Sequence, residues 1–256
     1  GAGFAPAHPL SRAGDGRFVG SAFFLPDGTD FEVRVTLSDP DGVTEGVLTA
    51  SGVTRALEIP ESSGEAFHVA ADGDDANDGS EGSPFATVAR GVSAASAGDT
   101  VLIHAGVYHE QVTVSGGGGD GAPITIRAAG DGEVVLTGAS PALAEPMAWT
   151  DEGGDVYSAP VAQTQYVAVD DARLWRYESL VDLESLALGT DGGFFFEGGT
   201  VYVRLPGDAA PEGHEIEVSE LGRAFWLEGA PDVVIRDLTI RAYGGEEYSE
   251  GIMVRD

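Results

Sequence analysis

One stretch of the sequence decides the fold: residues 67–138 read FHVAADGDDANDGSEGSPFATVARGVSAASAGDTVLIHAGVYHEQVTVSGGGGDGAPITIRAAGDGEVVLTG. It begins with an extended segment, continues through a turn rich in Asp, Asn and Gly, and then has one short helical pattern. A series of short strand patterns follows, separated by glycine-rich loops such as Gly116–Gly121. Short strands with turns at their ends predict a β-rich chain that winds into successive coils, as in a solenoid.

A short amphipathic helix is predicted within this stretch, over residues 84–97. Ser83 is the expected N-cap and Pro84 the first helical residue, since both residue types favour those positions. Apolar residues then recur at helical spacing, and Gly98 marks the end of the helix. The apolar stripe consists of Phe85, Val88, Ala89, Val92 and Ala95. Because a coiling β-structure needs its open end covered, we expect this helix to cap it.

Two pairs of strand patterns recur at a nearly constant offset. Residues 124–126 follow residues 101–103 by 23 positions (124 − 101), and residues 134–136 follow residues 112–114 by 22 positions (134 − 112). A repeat of this length is typical of a solenoid, in which each strand stacks on its equivalent one coil earlier. We therefore predict an all-β fold, a right-handed parallel β-helix; an ordinary α+β domain is the alternative.

The composition of the chain excludes several functions. Its 256 residues carry 13 basic and 43 acidic side chains, a formal net charge of −30, and all 13 basic residues are Arg. Such a charge repels duplex DNA and anionic membranes, so no nucleic-acid partner is expected. The sequence contains no run of about 18 apolar residues, the length that predicts a membrane-spanning helix, so no membrane insertion is expected. The absence of Lys removes one catalytic base, and the absence of Cys removes disulfides and thiol chemistry.

Residues 1–60 are predicted to form part of a β-sandwich. Residues 31–37 alternate apolar and polar side chains, and Asp39–Gly42 give a turn signal. The fragment FEVRVTLSDPDG resembles the later strands of a fibronectin-type-III-like module. Too few strands are present for a complete sandwich, so we expect the earlier strands upstream of residue 1.

The coil pattern begins within residues 61–145 and is then interrupted. Residues 146–221 contain two hairpin patterns, Tyr166–Trp175 and Gly193–Leu205, and predict an inserted β-rich domain. The coil pattern resumes in residues 222–256 and stops in mid-strand. An open solenoid end exposes its core, so we expect the chain to continue or another chain to cover the end.

Several motifs resemble the start of bacterial right-handed parallel β-helix proteins. They are ADGDDANDG at residues 71–79, SPFAT at 83–87, GDTV at 98–101 and GVYHE at 106–110. That superfamily includes polysaccharide lyases and glycoside hydrolases, so the resemblance implies a carbohydrate-active protein. The interrupted region resembles β-helix glycosidases whose coil contains an inserted β-sandwich, and the resemblance covers residues 67–256.

The resumed coil carries polar residues suited to sugar cleavage. Hydrolysis of a glycosidic bond uses two carboxyl groups, one of them protonated, and adjacent coils can present both. The candidate catalytic acids are Asp237, Glu246, Glu247 and Asp256. The candidate substrate-binding residues are Arg241, Tyr243, Tyr248 and Trp226. The alternative, which the residue types favour, is a solvated loop with surface strand residues.

The acidic turn is a candidate calcium site, and calcium is the only candidate cofactor. The candidate ligands are Asp72, Asp74, Asp75, Asn77 and Asp78. The spacing lacks the later bidentate Glu of an EF-hand. The alternative, an Asx-rich turn whose side chains cap backbone amides, is favoured.

Other candidate groups have structural interpretations. His104, His109 and Glu110 do not form a metal-ligand pattern, because adjacent strand residues point to opposite faces. The aromatic residues of the insertion are expected in the core of a small β-domain, with a sugar-stacking platform as the alternative. An exposed Trp would favour the platform.

These features favour a secreted or cell-surface glycoside hydrolase that acts on a polysaccharide or glycan. A calcium-dependent polysaccharide lyase is one alternative, although the acidic field opposes an anionic polymer and the chain has no Lys to act as the base. A non-enzymatic structural or carbohydrate-binding protein is the other. The sequence does not indicate an oligomeric state.

Overall fold

The computed structural model describes residues 11–12, 14, 18–19, 25–36, 41–42, 46–55, 60, 62–119, 121–144, 148–246 and 249–255. The chain divides into two compact units, Gly1–Ile59 and Pro60–Asp256. Over the described residues, no helix is long and apolar enough to cross a membrane.

The described part of the first unit contains two antiparallel strand pairs. The strands are β1 (Ser11–Arg12), β2 (Phe18–Val19), β3 (Asp30–Thr36) and β4 (Val47–Val53). β1 pairs with β2, and β3 pairs with β4 along its whole length. The strand predicted from the alternation of residues 31–37 is therefore confirmed as β3.

The second unit contains the remaining strands and helices, which fall into three groups along the chain. Before the insertion come β5 (Ala66–Val69), α1 (Val88–Ala94), β6 (Thr100–Ile103), β7 (Gly106–Tyr108), β8 (Val112–Val114), β9 (Ile124–Ala128) and β10 (Val134–Thr137). The insertion holds β11 (Thr150–Gly153), β12 (Val156–Pro160), β13 (Val167–Val169), β14 (Ala172–Arg173), α2 (Leu180–Glu184), β15 (Gly193–Glu197), β16 (Thr200–Arg204) and β17 (Ile216–Val218), with short 3-10 helices at Pro141–Leu143 and Pro206–Asp208. After it come β18 (Arg223–Glu228), β19 (Val233–Arg236), β20 (Thr239–Arg241) and β21 (Glu250–Arg255).

Three parallel sheets share one core in this unit. Their strand orders are β5-β6-β9-β19, β7-β10-β20 and β8-β18-β21, and every pairing within them is parallel. The chain thus makes three successive coils, each contributing one strand to each sheet. We call β6, β7 and β8 the first coil, β9, β10 and β18 the second, and β19, β20 and β21 the third.

The predicted stacking needs correction at two places. Val101 pairs with Ile126, an offset of 25 (126 − 101) instead of 23; the shift of two residues leaves the same side chains facing the core. Residues 112–114 do not pair with residues 134–136: Val112 pairs with Phe225, and Val134 pairs with Gly106. The reason is that the insertion separates the second and third strands of the second coil. The spacing between strand patterns that are neighbours in the sequence does not reveal that an insertion divides the second coil.

The predicted capping helix is shorter than expected. Thr87, not Ser83, is the N-cap, and its hydroxyl accepts a hydrogen bond from the Arg90 amide. Residues before it stay extended, because the Phe85 amide donates to the carbonyl of His68 in β5. The helix ends at Ala94, well before Gly98, since Ala95 has an extended backbone. Its buried face, Val88, Gly91 and Val92, packs on the core of the coils.

The amino end of α1 is held by a side chain from the first coil. The Glu110 carboxylate accepts hydrogen bonds from the Val88 and Ala89 amides at 2.8 and 3.0 Å, and burial raises the pKa of this carboxyl. These amides have no partner within the helix, so Glu110 satisfies both. The structural interpretation of Glu110 is therefore confirmed.

We expect Glu110→Ala to lower the free energy of unfolding by about 1–3 kcal/mol, because two partly buried amides lose their acceptor. Urea titration measures the change. Glu81→Ala, at an exposed position of the preceding loop, is the control and is expected to stay within about 0.5 kcal/mol of the wild type. Equal midpoints for the two variants would contradict this role.

The insertion consists of two antiparallel sheets with the orders β11-β12-β16-β15 and β14-β13-β17. Both predicted hairpins are confirmed: β13 and β14 connect through Asp170 and Asp171, and β15 and β16 through Gly198 and Gly199, all four with positive φ. Backbone hydrogen bonds join the insertion to the coils. The Ser140 amide donates to the Val218 carbonyl, and the Glu220 amide donates to the Gly138 carbonyl. The start and end of the insertion therefore lie side by side.

Candidate functional site

Two carboxylates and one arginine meet where the insertion contacts the third coil. Ile216 and Val218 of β17 are buried in the core of the insertion, so Glu215 and Glu217 alternate with them on the opposite face. Arg241, the last residue of β20, lies between both: its Nη2 is 3.5 Å from Glu215 Oε1, and its Nε is 3.3 Å from Glu217 Oε1. We call Glu215, Glu217 and Arg241 the junction site.

The two carboxylates of the junction site have different environments. The Glu217 side chain is 13% exposed, and burial raises its pKa although the Arg241 guanidinium acts in the opposite direction. The Glu215 side chain is 64% exposed and therefore hydrated. The Arg241 Nε is itself buried and makes no aligned hydrogen bond, so its contact with Glu217 is purely ionic. A shielded carboxyl beside a hydrated one is the arrangement that separates an acid from a base.

Tyr166 forms one wall of the junction site. Burial raises the pKa of its hydroxyl, and the nearby Glu217 charge raises it further. Its side chain packs against Gly244, where an added Cβ would lie 2.4 Å from the Tyr166 Cβ. The Arg173 guanidinium lies 5.6 Å from the centre of the tyrosine ring. The junction site therefore lies beside Tyr166, and Arg173 lies over the ring of this tyrosine.

A histidine–aspartate pair fixes the strand that carries the two acids. His214 Nδ1 lies 2.7 Å from Asp170 Oδ2, and the Glu215 amide donates to Asp170 Oδ1 at 3.0 Å. These two hydrogen bonds lower the pKa of Asp170. Because Asp170 lies in the β13–β14 turn, the turn holds the start of β17 in place and with it Glu215.

The predicted catalytic and binding residues lie in several places. Arg241 belongs to the junction site, whereas Asp237 lies in an exposed turn beside Arg236, and Glu246 binds Arg223 at 2.8 Å. The Tyr243 hydroxyl donates to the Glu110 carbonyl, which ties the third coil to the first. The Trp226 ring lies between two arginines, with the guanidinium carbons of Arg223 and Arg255 at 4.4 and 5.1 Å from its centre. Glu247, Tyr248 and Asp256 lie outside the described residues.

The acidic turn uses its side chains to cap the backbone. Asp74 accepts from the Ala76 amide, Asp78 from the Ser80 amide, and Asp75 from the amides of Ala86 and Thr87. Asn77 donates to the Pro84 carbonyl. Within the part of the chain that the structure describes, no group of three or more His, Asp or Glu side chains is arranged to hold a metal ion. Calcium binding by Asp72 and its neighbours stays a prediction.

A hydrogen-bonded chain of two histidines and one aspartate was not predicted. His68 Nδ1 lies 2.9 Å from His104 Nε2, and His104 Nδ1 lies 2.7 Å from Asp131 Oδ2. Because the carboxylate can only accept, His104 Nδ1 donates to Asp131, and when both imidazoles are neutral His104 Nε2 accepts from His68 Nδ1. His68 Nε2 is then the unprotonated nitrogen, able to accept a proton from outside. We call these three residues the histidine relay.

Arginines share the outer face of the sheet with the relay. His68 pairs with Leu102, Leu102 with Arg127, and Arg127 with Arg236, so these four side chains are in register across β5, β6, β9 and β19. The neighbouring residues Val101 and Ile126 face the core. The outer face of this sheet therefore carries two arginines in register with His68.

Acidification is expected to destabilise the second unit through the relay. Burial, and next the charge of His104, lower the pKa of His68, although Glu81 opposes the shift. The unfolded chain therefore binds this proton more readily than the folded chain. The contribution of neutral His68 to the free energy of unfolding is present above about pH 6.5 and is lost as pH falls below it. Urea midpoints between pH 7.5 and 5 test this. We expect His68→Gln to make the urea midpoint less dependent on pH. A pH dependence equal to that of the wild type would contradict the role of His68.

Comparison with known proteins finds one family model and several solved structures that resemble this chain. Residues 84–143 match the model of the Chondroitinase B family. The structure of this chain resembles the complex of XylC with xylose, with a TM-score of 0.61 and 20% identity over 72% of this chain and 36% of that one. This likeness shows a shared fold. A glycoside hydrolase structure also matches, with a TM-score of 0.45 and 13% identity over 71% of this chain and 51% of that one.

One curated protein is more similar in sequence. The uncharacterized protein YwoF of Bacillus subtilis (strain 168) is 39% identical over 104 residues, which is 41% of this chain and 22% of that protein. The chain thus corresponds to about a fifth of YwoF and about a third of the XylC chain.

Proposed function

We propose that the chain is part of a carbohydrate-active protein that binds a polysaccharide and hydrolyses its glycosidic bonds. The junction site carries this proposal, because it pairs a shielded carboxyl with a hydrated carboxylate around one guanidinium. The fold shared with XylC, whose structure holds xylose, supports a sugar ligand. Asp237 and Glu246 remain candidates of the second rank, since each lies beside an arginine in another place.

The proposed roles follow from the two environments. Glu217, whose pKa is raised by burial, donates a proton to the glycosidic oxygen as the bond to the leaving sugar breaks. Glu215 accepts the proton of the water molecule that adds to the anomeric carbon. Arg241 holds both carboxylates in position, and the Tyr166 hydroxyl binds a sugar hydroxyl.

The finer features of the fold and its location belong to the same proposal. We propose that the three parallel sheets form a right-handed parallel β-helix, whose coils bring β20 beside β17. We also propose that the protein works outside the cell or at its surface, where polysaccharides are accessible. The large negative charge keeps such a protein soluble.

A polysaccharide panel tests this function on the longest chain that can be produced. The panel includes xylan as a neutral polymer and chondroitin as an acidic one, each with added calcium and with a chelator. Reducing ends and the ultraviolet absorbance of unsaturated products are followed together. Reducing ends without absorbance are expected.

Elimination from an acidic polysaccharide is the second candidate function. The match to the Chondroitinase B family model and the outer face that carries the histidine relay with Arg127 and Arg236 favour it. The arginines would neutralise a uronate carboxylate, and His68 Nε2 would take the proton from the carbon next to that carboxylate. A carbon–carbon double bond would form as the bond to the glycosidic oxygen on the following carbon breaks, and water would protonate the leaving oxygen. Absorbance from chondroitin would establish this function in place of hydrolysis. If neither reducing ends nor ultraviolet absorbance appears with any polysaccharide of the panel, a binding or structural role would remain.

A further inference from the structure

We infer that Trp175 and the cavity beside it form a second carbohydrate-binding site on the insertion, for a ring of a neutral polysaccharide. The three Trp of the chain have different surroundings. Trp149 packs on the core of the insertion and donates to the Leu143 carbonyl, and Trp226 lies between two arginines. Trp175, in contrast, is 66% exposed. Its exposed indole offers a flat apolar face with one polar N–H group to a ligand.

The backbone of Trp175 is held rigidly although its ring is exposed. Its carbonyl accepts a hydrogen bond from the Phe194 amide at 2.8 Å, and the Tyr177 amide donates to the Phe194 carbonyl at 2.7 Å. Gly193 allows this close contact, since an added Cβ would lie 2.4 Å from the Tyr177 ring and 2.8 Å from the Trp175 carbonyl oxygen. The ring is therefore presented by an ordered segment, so binding costs little conformational entropy.

The cavity beside Trp175 has the size and chemistry of a single sugar ring. Its volume is about 220 Å³, below the roughly 300–1,000 Å³ typical of sites for drug-sized ligands. Its lining consists of Ala172, Arg173, Leu174, Trp175, Thr190, Asp191, Gly192 and Pro206. Arg173 and Asp191 are both exposed, and they supply a donor and an acceptor for hydroxyl groups beside the aromatic face.

The ligand class follows from this chemistry. A pyranose ring has an apolar face of C–H groups that stacks on an indole, and a rim of hydroxyls that forms hydrogen bonds. The net charge of −30 opposes an acidic polymer, and the cavity offers one arginine and one aspartate, so a neutral sugar is favoured.

The cavity is connected to the junction site through Arg173. This residue lines the cavity and also lies over the Tyr166 ring, which is close enough to Glu217 for the charge to raise the tyrosine pKa. A polysaccharide bound at Trp175 would therefore extend toward the carboxylates. In this respect the inference rests on the proposed function, but binding at Trp175 can be measured without catalysis.

Affinity electrophoresis in gels that contain soluble xylan tests the inference with the whole chain. We expect xylan to retard the wild type, and Trp175→Ala to weaken the apparent affinity about tenfold or more. Trp175→Phe keeps an aromatic face and is expected to restore part of the retardation. Val107→Ala, on the exposed side of β7, is the control for loss of an exposed apolar side chain and should migrate like the wild type.

The outcomes separate this inference from the proposed function. Retardation of Glu217→Gln like the wild type, together with loss of retardation in Trp175→Ala, supports the binding site whether or not hydrolysis is found. Equal retardation of the wild type and Trp175→Ala would overturn it. Absence of retardation by xylan would overturn it as well, and Trp175-dependent retardation by chondroitin alone would overturn the assignment to a neutral sugar. Circular dichroism melting verifies that Trp175→Ala is folded.

Discussion

Glu217→Gln is expected to lower the rate of glycosidic hydrolysis by a factor of about 10²–10⁴, the usual contribution of a general acid. Gln has the same shape as Glu, but it has no acidic proton to give to the leaving oxygen. Substrate binding should change little, so the loss is expected in kcat more than in KM. Release of reducing ends from the substrate identified by the panel measures the effect.

The pH dependence of the same reaction gives an independent test of Glu217. Burial raises its pKa, so the carboxyl keeps its proton to higher pH than an exposed Glu does. Activity should be present below the pKa of this group and fall as pH rises through it. In Glu217→Gln, the falling part of the profile should disappear together with most of the activity.

Glu197→Gln is the matched control, since it makes the same substitution at an exposed position before the β15–β16 turn. It is expected to retain wild-type activity. If Glu217→Gln stays within about twofold of this control, Glu217 is not the acid, and Asp237 and Glu246 become the residues to replace.

The sequence predicted those features of the fold that depend on local patterns. The alternation in residues 31–37 and the turn residues Asp170, Asp171, Gly198 and Gly199 were sufficient to identify their strands and hairpins. The helix start was wrong because Ser83 and Thr87 are both good caps, and the choice depends on the pairing of Phe85 with β5. That pairing is a tertiary contact, which the local sequence pattern does not indicate.

The junction site illustrates why the candidate acids were harder to predict. The sequence HEIEVS at residues 214–219 alternates, so it already indicates that Glu215 and Glu217 share one face. It does not indicate that Arg241, on a strand beyond the insertion, reaches that face. The histidine relay has the same character, because His68, His104 and Asp131 come from successive layers whose register only the structure supplies.

Phe225→Ala is expected to lower the free energy of unfolding of the second unit by about 3–5 kcal/mol. Phe225 is 0% exposed and pairs with Val112 of the first coil and Ile252 of the third. Truncation removes most of its apolar surface from the core and leaves a cavity between three layers. Val254→Ala, at an exposed position of the neighbouring strand β21, is the control and should stay within about 0.5 kcal/mol.

Phe194→Ala extends this experiment to the insertion. Phe194 is also 0% exposed, but it lies in the core of the antiparallel sheets. The hydrogen bonds that join Ser140 to Val218 and Glu220 to Gly138 hold the insertion on the coils, so both variants should shift one common urea transition. Tryptophan fluorescence reports on this unit alone, because Trp149, Trp175 and Trp226 all lie in it. Two separate transitions in Phe194→Ala would show that the insertion unfolds by itself, and the junction site would then depend on two independently folded parts.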